Sequence, residues 1–258
     1  MAPKYEADVY VEARPHYPEE WYSWLAARTL HHSLAWDVGT GNGQAATAVA
    51  EHYEQVIATD VSEQQLQRAI PHPRIKYLHT PISMSEDDIV NLIGGENSVD
   101  LVTVATAVHW FDLPSFYAAV TRLLKKPGGI IAVWSYYNVS VSPTVDPLLK
   151  RYFEAARPYF HPNVKYPADG YKTLPFPFES VGLGSEGEPL PVDIPKQLSF
   201  AGFLGLLRSS SAFTAAKERG VELLSGEVVE ELEVAWGGSN LTRCVVFKAF
   251  MLAGKVRL

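Results

Sequence analysis

Apolar and polar positions alternate between two periods along the first half of the chain. Short apolar runs of strand length lie at residues 34–38, 55–59, 74–79, 99–105 and 129–134. Amphipathic stretches at 44–53, 62–70, 85–93 and 113–124 separate them and read as helices. Strand–helix alternation of this kind predicts parallel strands joined by right-handed crossovers. VDLVTVA and GIIAVW are apolar at successive positions, as expected of central strands covered on both faces. Pro127-Gly128-Gly129 stops the helix over 113–124.

Upstream, residues 5–30 are rich in aromatics, helical from Pro18, and placed to lie across the open end of the sheet. Downstream, 139–195 is dense in prolines and aromatics and reads as an irregular, packed insertion with a helix at 146–156. Helices are expected over 200–209 and 213–224. Val228, Val229, Leu232, Ala235 and Trp236 recur at helical spacing with Gly237 as a cap, although 230–236 also reads as a strand. A final strand is expected at 242–252.

Composition narrows the function classes. With 258 residues, 47% apolar and 20% charged, the chain can bury a full core and is not dominated by disorder. A net charge of −7 without a basic run argues against nucleic-acid partners. No apolar stretch reaches membrane-spanning length. The N-terminal MAPKYEADVY lacks the apolar core of a secretory leader, so a cytoplasmic setting is expected. The single cysteine, Cys244, excludes an internal disulfide and is expected to be an inert core residue. The eight histidines show no HxH or HxxxH pairing, and His31 and His32 are expected to face apart on a helix, so no metal site is expected.

The most informative segment is LAWDVGTGNGQAATAVA, residues 34–50. A strand runs into Asp37, glycines alternate at 39, 41 and 43, and a helix follows. Small residues let a backbone turn sharply and approach a ligand closely, and the amides at a helix start favour an anion. The spacing is not that of a dinucleotide or triphosphate loop, and no lysine follows to hold a terminal phosphate. A carboxylate at Asp37 repels a pyrophosphate and suits an ammonium group. QVIATD then ends a second strand at Asp60, 17 residues after Gly43, where an acid accepts hydrogen bonds from ribose hydroxyls. Loop and acid together specify an amino acid attached to a nucleoside, the constitution of S-adenosylmethionine. A glycine-rich turn without a ligand is the plainer alternative.

These segments resemble class I S-adenosylmethionine-dependent methyltransferases. DVGTGNG matches the family's glycine motif, ATDVS its ribose-acid strand, and VDLVTVATAVHWFD and LKKPGGIIAVWSY its fourth and fifth strands. AVHWFD with RPHYP is similar to the trans-aconitate methyltransferase-like branch, which includes enzymes that esterify small carboxylic acids. The resemblance implies an α/β fold: a Rossmann-like, seven-stranded, mostly parallel sheet with helices on both faces and an N-terminal plus inserted cap. It implies one domain over 1–258, with a cap helix in 1–30, the cofactor core in 31–138, a lid insertion in 139–210, and the last helices and strand in 211–258. It implies S-adenosyl-L-methionine as cofactor and S-adenosyl-L-homocysteine as product. Asp37, Gly39, Thr40 and Gly41 would hold the methionine moiety, Asp60 the ribose, Val61 the adenine, and the Ala105 carbonyl the amine. Where the branch usually has an acid near the adenine, this chain has Ile82, and that contact stays unassigned.

The acceptor is expected at the carboxyl edge of the strands. Tyr10, Arg14, Tyr17, His109, Trp110, Tyr136, Tyr137 and Asn138 converge there in the sequence reading, with Arg208 as a second candidate anion clamp after Arg14. His109 is the one candidate base, or else a packing residue under the lid; Trp110 faces the acceptor or packs. Arg14 clamps a carboxylate or pairs with Glu12, and Arg208 does the same or sits on a solvated helix face. Tyr171, Phe176 and Phe178 line the pocket or fill the lid. Methyl transfer needs alignment more than covalent help, and a carboxylate acceptor needs no base. The expected function is therefore O-methylation of a small carboxylic acid by a monomer or homodimer. N-methylation of a small amine or heterocycle is the second reading, and a non-catalytic cofactor-binding protein the third.

Overall fold

The computed structural model describes residues 15–257. Helix α1 (Glu19–Ala26) precedes strand β1 (Leu34–Val38), and α2 (Gln44–Ala50), β2 (Gln55–Asp60), α3 (Glu63–Leu66), β3 (Ile75–His79), α4 (Glu86–Ile93) and β4 (Leu101–Ala105) follow. A 3-10 turn at Val108–Trp110 leads to α5 (Leu113–Leu123) and β5 (Ile130–Ser140). The remainder comprises α6 (Asp146–Ala156), α7 (Lys165–Ala168), β6 (Glu179–Leu183), β7 (Leu190–Ser199), α8 (Phe200–Arg208), α9 (Ser211–Glu218), α10 (Gly226–Trp236) and β8 (Thr242–Lys255).

The strand order is β3-β2-β1-β4-β5-β8-β6, with β7 also pairing β8. The pairs β1–β2, β1–β4, β2–β3 and β4–β5 are parallel, and β6–β8 is antiparallel. The expected mostly parallel, Rossmann-like sheet is present. It has eight strands rather than seven among the described residues, because β7 adds to β8. Order reverses where β1 meets β4, and ligands of open α/β sheets bind beyond the strand ends at such a point.

Local chemistry explains most boundaries. Ser85, Asp112, Ser199, Ser210 and Ser225 each cap a helix by accepting a backbone N–H near its start. The helix read over 213–224 is instead α9, which ends at Glu218 because Gly220 turns the chain with a φ of +74°. The two readings of 230–236 resolve to helix α10, closed by Gly237 in the left-handed conformation. His31 and His32 lie in the loop before β1, not on a helix. Cys244 is exposed on β8, contrary to the core position expected of it.

The chain divides into two compact units. One comprises residues 15–16, 137–165 and 193–248. Its centre stacks Phe203 on Trp236 at 4.8 Å, and the Tyr152 hydroxyl donates to the Leu207 carbonyl at 2.9 Å. The other comprises residues 17–136, 166–192 and 249–257 and contains the parallel strands. Val56, Ala58, Val102, Val104, Ile131 and Val133 are buried in its sheet core. At the amino end of these strands the buried Asp100 carboxylate accepts from the Ser33 and Leu34 amides and from Lys125. Burial pushes its pKa up, but the Lys125 and Leu34 donors outweigh that and hold it below the ordinary value. This ties β1 to β4 at their base.

Candidate active site

The tip of β1 carries the glycine turn. Gly39 has a φ of +67°, and a Cβ there would lie 2.7 Å from the Ala107 Cβ. The turn can pack on the segment after β4 only because no side chain intervenes. Gly41 has a φ of +58°, and nothing lies within 4 Å of where its Cβ would be. Close packing requires the first glycine; left-handed backbone beside open space calls for the second, as a ligand-facing turn does. Gly39→Ala should therefore destabilise the fold by about 1–2 kcal/mol from the left-handed backbone alone, which urea denaturation would measure.

Two carboxylates organise this turn in different ways. Asp37 is 1% exposed, with Oδ2 accepting from Thr40 Oγ1 and Oδ1 from Thr103 Oγ1, both at 2.6 Å. It ties the turn to β4 and does not present an open carboxylate to solvent. Burial pushes its pKa up to about 6; the Thr103 and Thr40 hydroxyls pull it down, and the nearby Asp60 charge adds to the rise. Asp60 is half-buried at the tip of β2. Its Oδ2 accepts from the Gly41 amide and its Oδ1 from the Ser62 amide, each at 2.8 Å. Each oxygen retains a lone pair for a further donor.

Apolar surface borders Asp60. Val61 is 47% exposed in the loop after β2, and Ile82 is 91% exposed in the loop after β3. The two loops meet where the Thr80 amide donates to the Asp60 carbonyl at 3.0 Å. An open left-handed glycine, a carboxylate with spare acceptor capacity and exposed aliphatic side chains fit a nucleoside attached to an amino acid.

The tip of β4 carries the other candidates. Ala105 pairs with Trp134 of β5. Beyond it Thr106 takes a φ of +56°, uncommon for a β-branched residue. His109 is 5% exposed within the 3-10 turn, whereas Trp110 beside it is 41% exposed, with ring centroids 4.9 Å apart. Tyr17 reaches this tip: its hydroxyl lies 2.6 Å from Thr106 Oγ1 and its ring 6.4 Å from that of Tyr136.

One compact unit thus brings together Asp37, Gly39, Thr40, Gly41, Asp60, Val61, Ala105, His109, Trp110, Tyr17 and Tyr136. Arg208 is exposed at the end of α8, in the unit that does not contain the glycine turn. Tyr10 and Arg14 lie outside the described residues. Tyr171, Phe176 and Phe178 are buried, and each packs on a neighbouring aromatic ring, as core does. The sequence reading missed Thr103 and Thr106. Thr103 was detectable, because a hydroxyl amid the apolar VDLVTVA has to find a partner.

Comparisons with known proteins agree with this geometry. Residues 36–133 match a family model described as a methyltransferase domain. A protein of Dictyostelium discoideum named as a methyltransferase is 31% identical over 255 residues, covering 95% of this chain and 91% of that one. A methyltransferase of Pestalotiopsis fici is 32% identical over 143 residues, 49% of this chain and 41% of its own. The solved structure of a protein described as a type II methyltransferase from Anaeromyxobacter dehalogenans is 33% identical with a TM-score of 0.79, covering 94% of this chain and 97% of that one. The chain belongs to the class I S-adenosylmethionine-dependent methyltransferases.

Proposed function

We propose that this protein transfers the methyl group of S-adenosylmethionine to a carboxylate oxygen of a small molecule. The observation that carries the acceptor class is the burial of His109, at 5% exposure. The one candidate base at the strand tips is buried against Trp110, while Trp110 itself is 41% exposed and carries no basic group. Phenols and ammonium groups must lose a proton on methylation; a carboxylic acid has lost its proton already at neutral pH. When bound, the cofactor supplies an electrophilic methyl on a good leaving group. What remains for the chain is alignment and exclusion of water. Asp60 would accept the ribose hydroxyls, Val61 would line the adenine, and the turn formed by Gly39, Thr40 and Gly41, open at Gly41, would hold the methionine moiety. The Ala105 carbonyl and the buried Asp37 charge draw the ammonium end. With a net charge of −7, free small molecules suit the chain better than nucleic acid.

The test is incubation of the purified chain with methyl-labelled S-adenosylmethionine and a panel of small carboxylic acids, phenols and amines. Label is expected in base-labile esters of the acids. Label in amines alone would transfer the proposal to N-methylation. Tight cofactor binding without turnover on any acceptor would favour a non-catalytic role.

A further inference from the structure

The residue after β4 is held in a conformation that its side chain disfavours, by two contacts that converge on it. Thr106 has a φ of +56°. Its amide donates to the Trp134 carbonyl of β5 at 2.8 Å, and its hydroxyl meets the Tyr17 hydroxyl at 2.6 Å. Tyr17 is itself fixed. Its ring stacks on Trp21 of α1 at 5.6 Å and 28°, and meets Trp134 edge-on at 5.6 Å and 78°.

The ladder bond to Trp134 sets a direction. The Ala105–Thr106 peptide is trans, so its N–H and C=O point opposite ways. The N–H points to β5, and the Ala105 carbonyl therefore points away from β5, to the β1 side of β4, where the glycine turn sits. Half a turn of that one peptide would return Thr106 to the ordinary negative φ region. It would also reverse the carbonyl and break the bond to Trp134. The positive φ at Thr106 thus accompanies a carbonyl aimed at the turn.

We propose that Thr106 is a positioning residue for the cofactor's ammonium group, acting through the Ala105 carbonyl, and that Tyr17 is the latch that holds it. The proposal rests on the reading of the glycine turn as the methionine site.

Two probes separate this role from general stability. S-adenosylhomocysteine carries the ammonium; 5′-methylthioadenosine has the same nucleoside and lacks the amino acid. By calorimetry, Thr106→Val and Tyr17→Phe should each weaken S-adenosylhomocysteine about tenfold, the scale of one lost positioning hydrogen bond. Both should leave 5′-methylthioadenosine within about twofold. Thr106→Ser keeps the hydroxyl and should restore the wild-type value. The double variant should lose no more than either single one, because both remove the same contact. Equal weakening of both nucleosides, or unchanged S-adenosylhomocysteine affinity in variants with wild-type melting curves, overturns the proposal. If the unaltered chain binds neither compound, the cofactor reading has failed and takes this proposal with it.

Discussion

Asp60→Ala should weaken S-adenosylhomocysteine binding by about 1.5–3 kcal/mol, or roughly ten- to a hundredfold, the range for hydrogen bonds to a charged group. The Asp60 carboxylate already accepts from the Gly41 and Ser62 amides, so it both shapes the turn and faces the nucleoside. Removal loses the bonds to the ribose hydroxyls and leaves the Gly41 amide to water. Asp60→Asn keeps the side-chain shape but has one acceptor oxygen for the two backbone amides and the ribose, and should fall between wild type and Asp60→Ala. Titration calorimetry, with the melting temperature followed as ligand is added, measures both. A dissociation constant unchanged in Asp60→Ala would remove the ribose assignment.

Asp37→Asn should stabilise the fold while weakening the cofactor. The Asp37 pKa is pushed up from 3.8 to about 6, chiefly by burial. Between those values the folded chain keeps a proton that the unfolded chain has released. The stabilisation is complete below the unfolded pKa and is lost as the pH rises through about 6. Two pKa units correspond to about 3 kcal/mol, so ionised Asp37 costs up to about 3 kcal/mol at pH 8. The asparagine variant avoids that cost. It should be more stable than wild type at pH 8 and similar at pH 4, by urea denaturation at the two pH values. The same buried charge lies behind the turn that would take the ammonium group, so wild-type affinity for S-adenosylhomocysteine should grow as the pH rises through about 6, and the variant should lack this dependence. A pH-independent difference in stability would assign the rise to something other than Asp37.

The parallel half of the fold was legible because it obeys local rules. β1 matches the 34–38 reading at both ends, and the ends of β2, β3 and β4 fall within two residues of expectation. Hydrophobic runs bounded by turns carry that information. β5 runs to Ser140, six residues past Trp134, where the sequence reading stopped because Ser135 and Asn138 are polar. The β-favouring Tyr136, Tyr137 and Val139 between them carry the strand on. β7 was missed within the stretch read as irregular. Pro191 and Pro195 argue against a strand, yet both stand on its exposed alternate positions, with Ile194 and Leu198 buried. Proline is tolerated where a strand's N–H has no ladder partner to lose.

Of the site, glycine spacing and strand-end acids were readable, since chain order alone puts them at neighbouring tips. For His109 the sequence offered both a base and a packing residue, and its 5% exposure agrees with packing; the left-handed Thr106 was not readable. The latter goes with its contacts to Tyr17 and Trp134 in space, and no periodicity encodes those.

The exposure of Cys244 has a practical consequence. It is the only thiol in 258 residues and stands exposed on β8. A maleimide fluorophore would attach at one defined address in the unmodified chain, without cysteine-removal mutagenesis. The dye would sit in the compact unit that lacks the glycine turn, so any change in its emission on adding nucleoside would report from outside the turn's own unit.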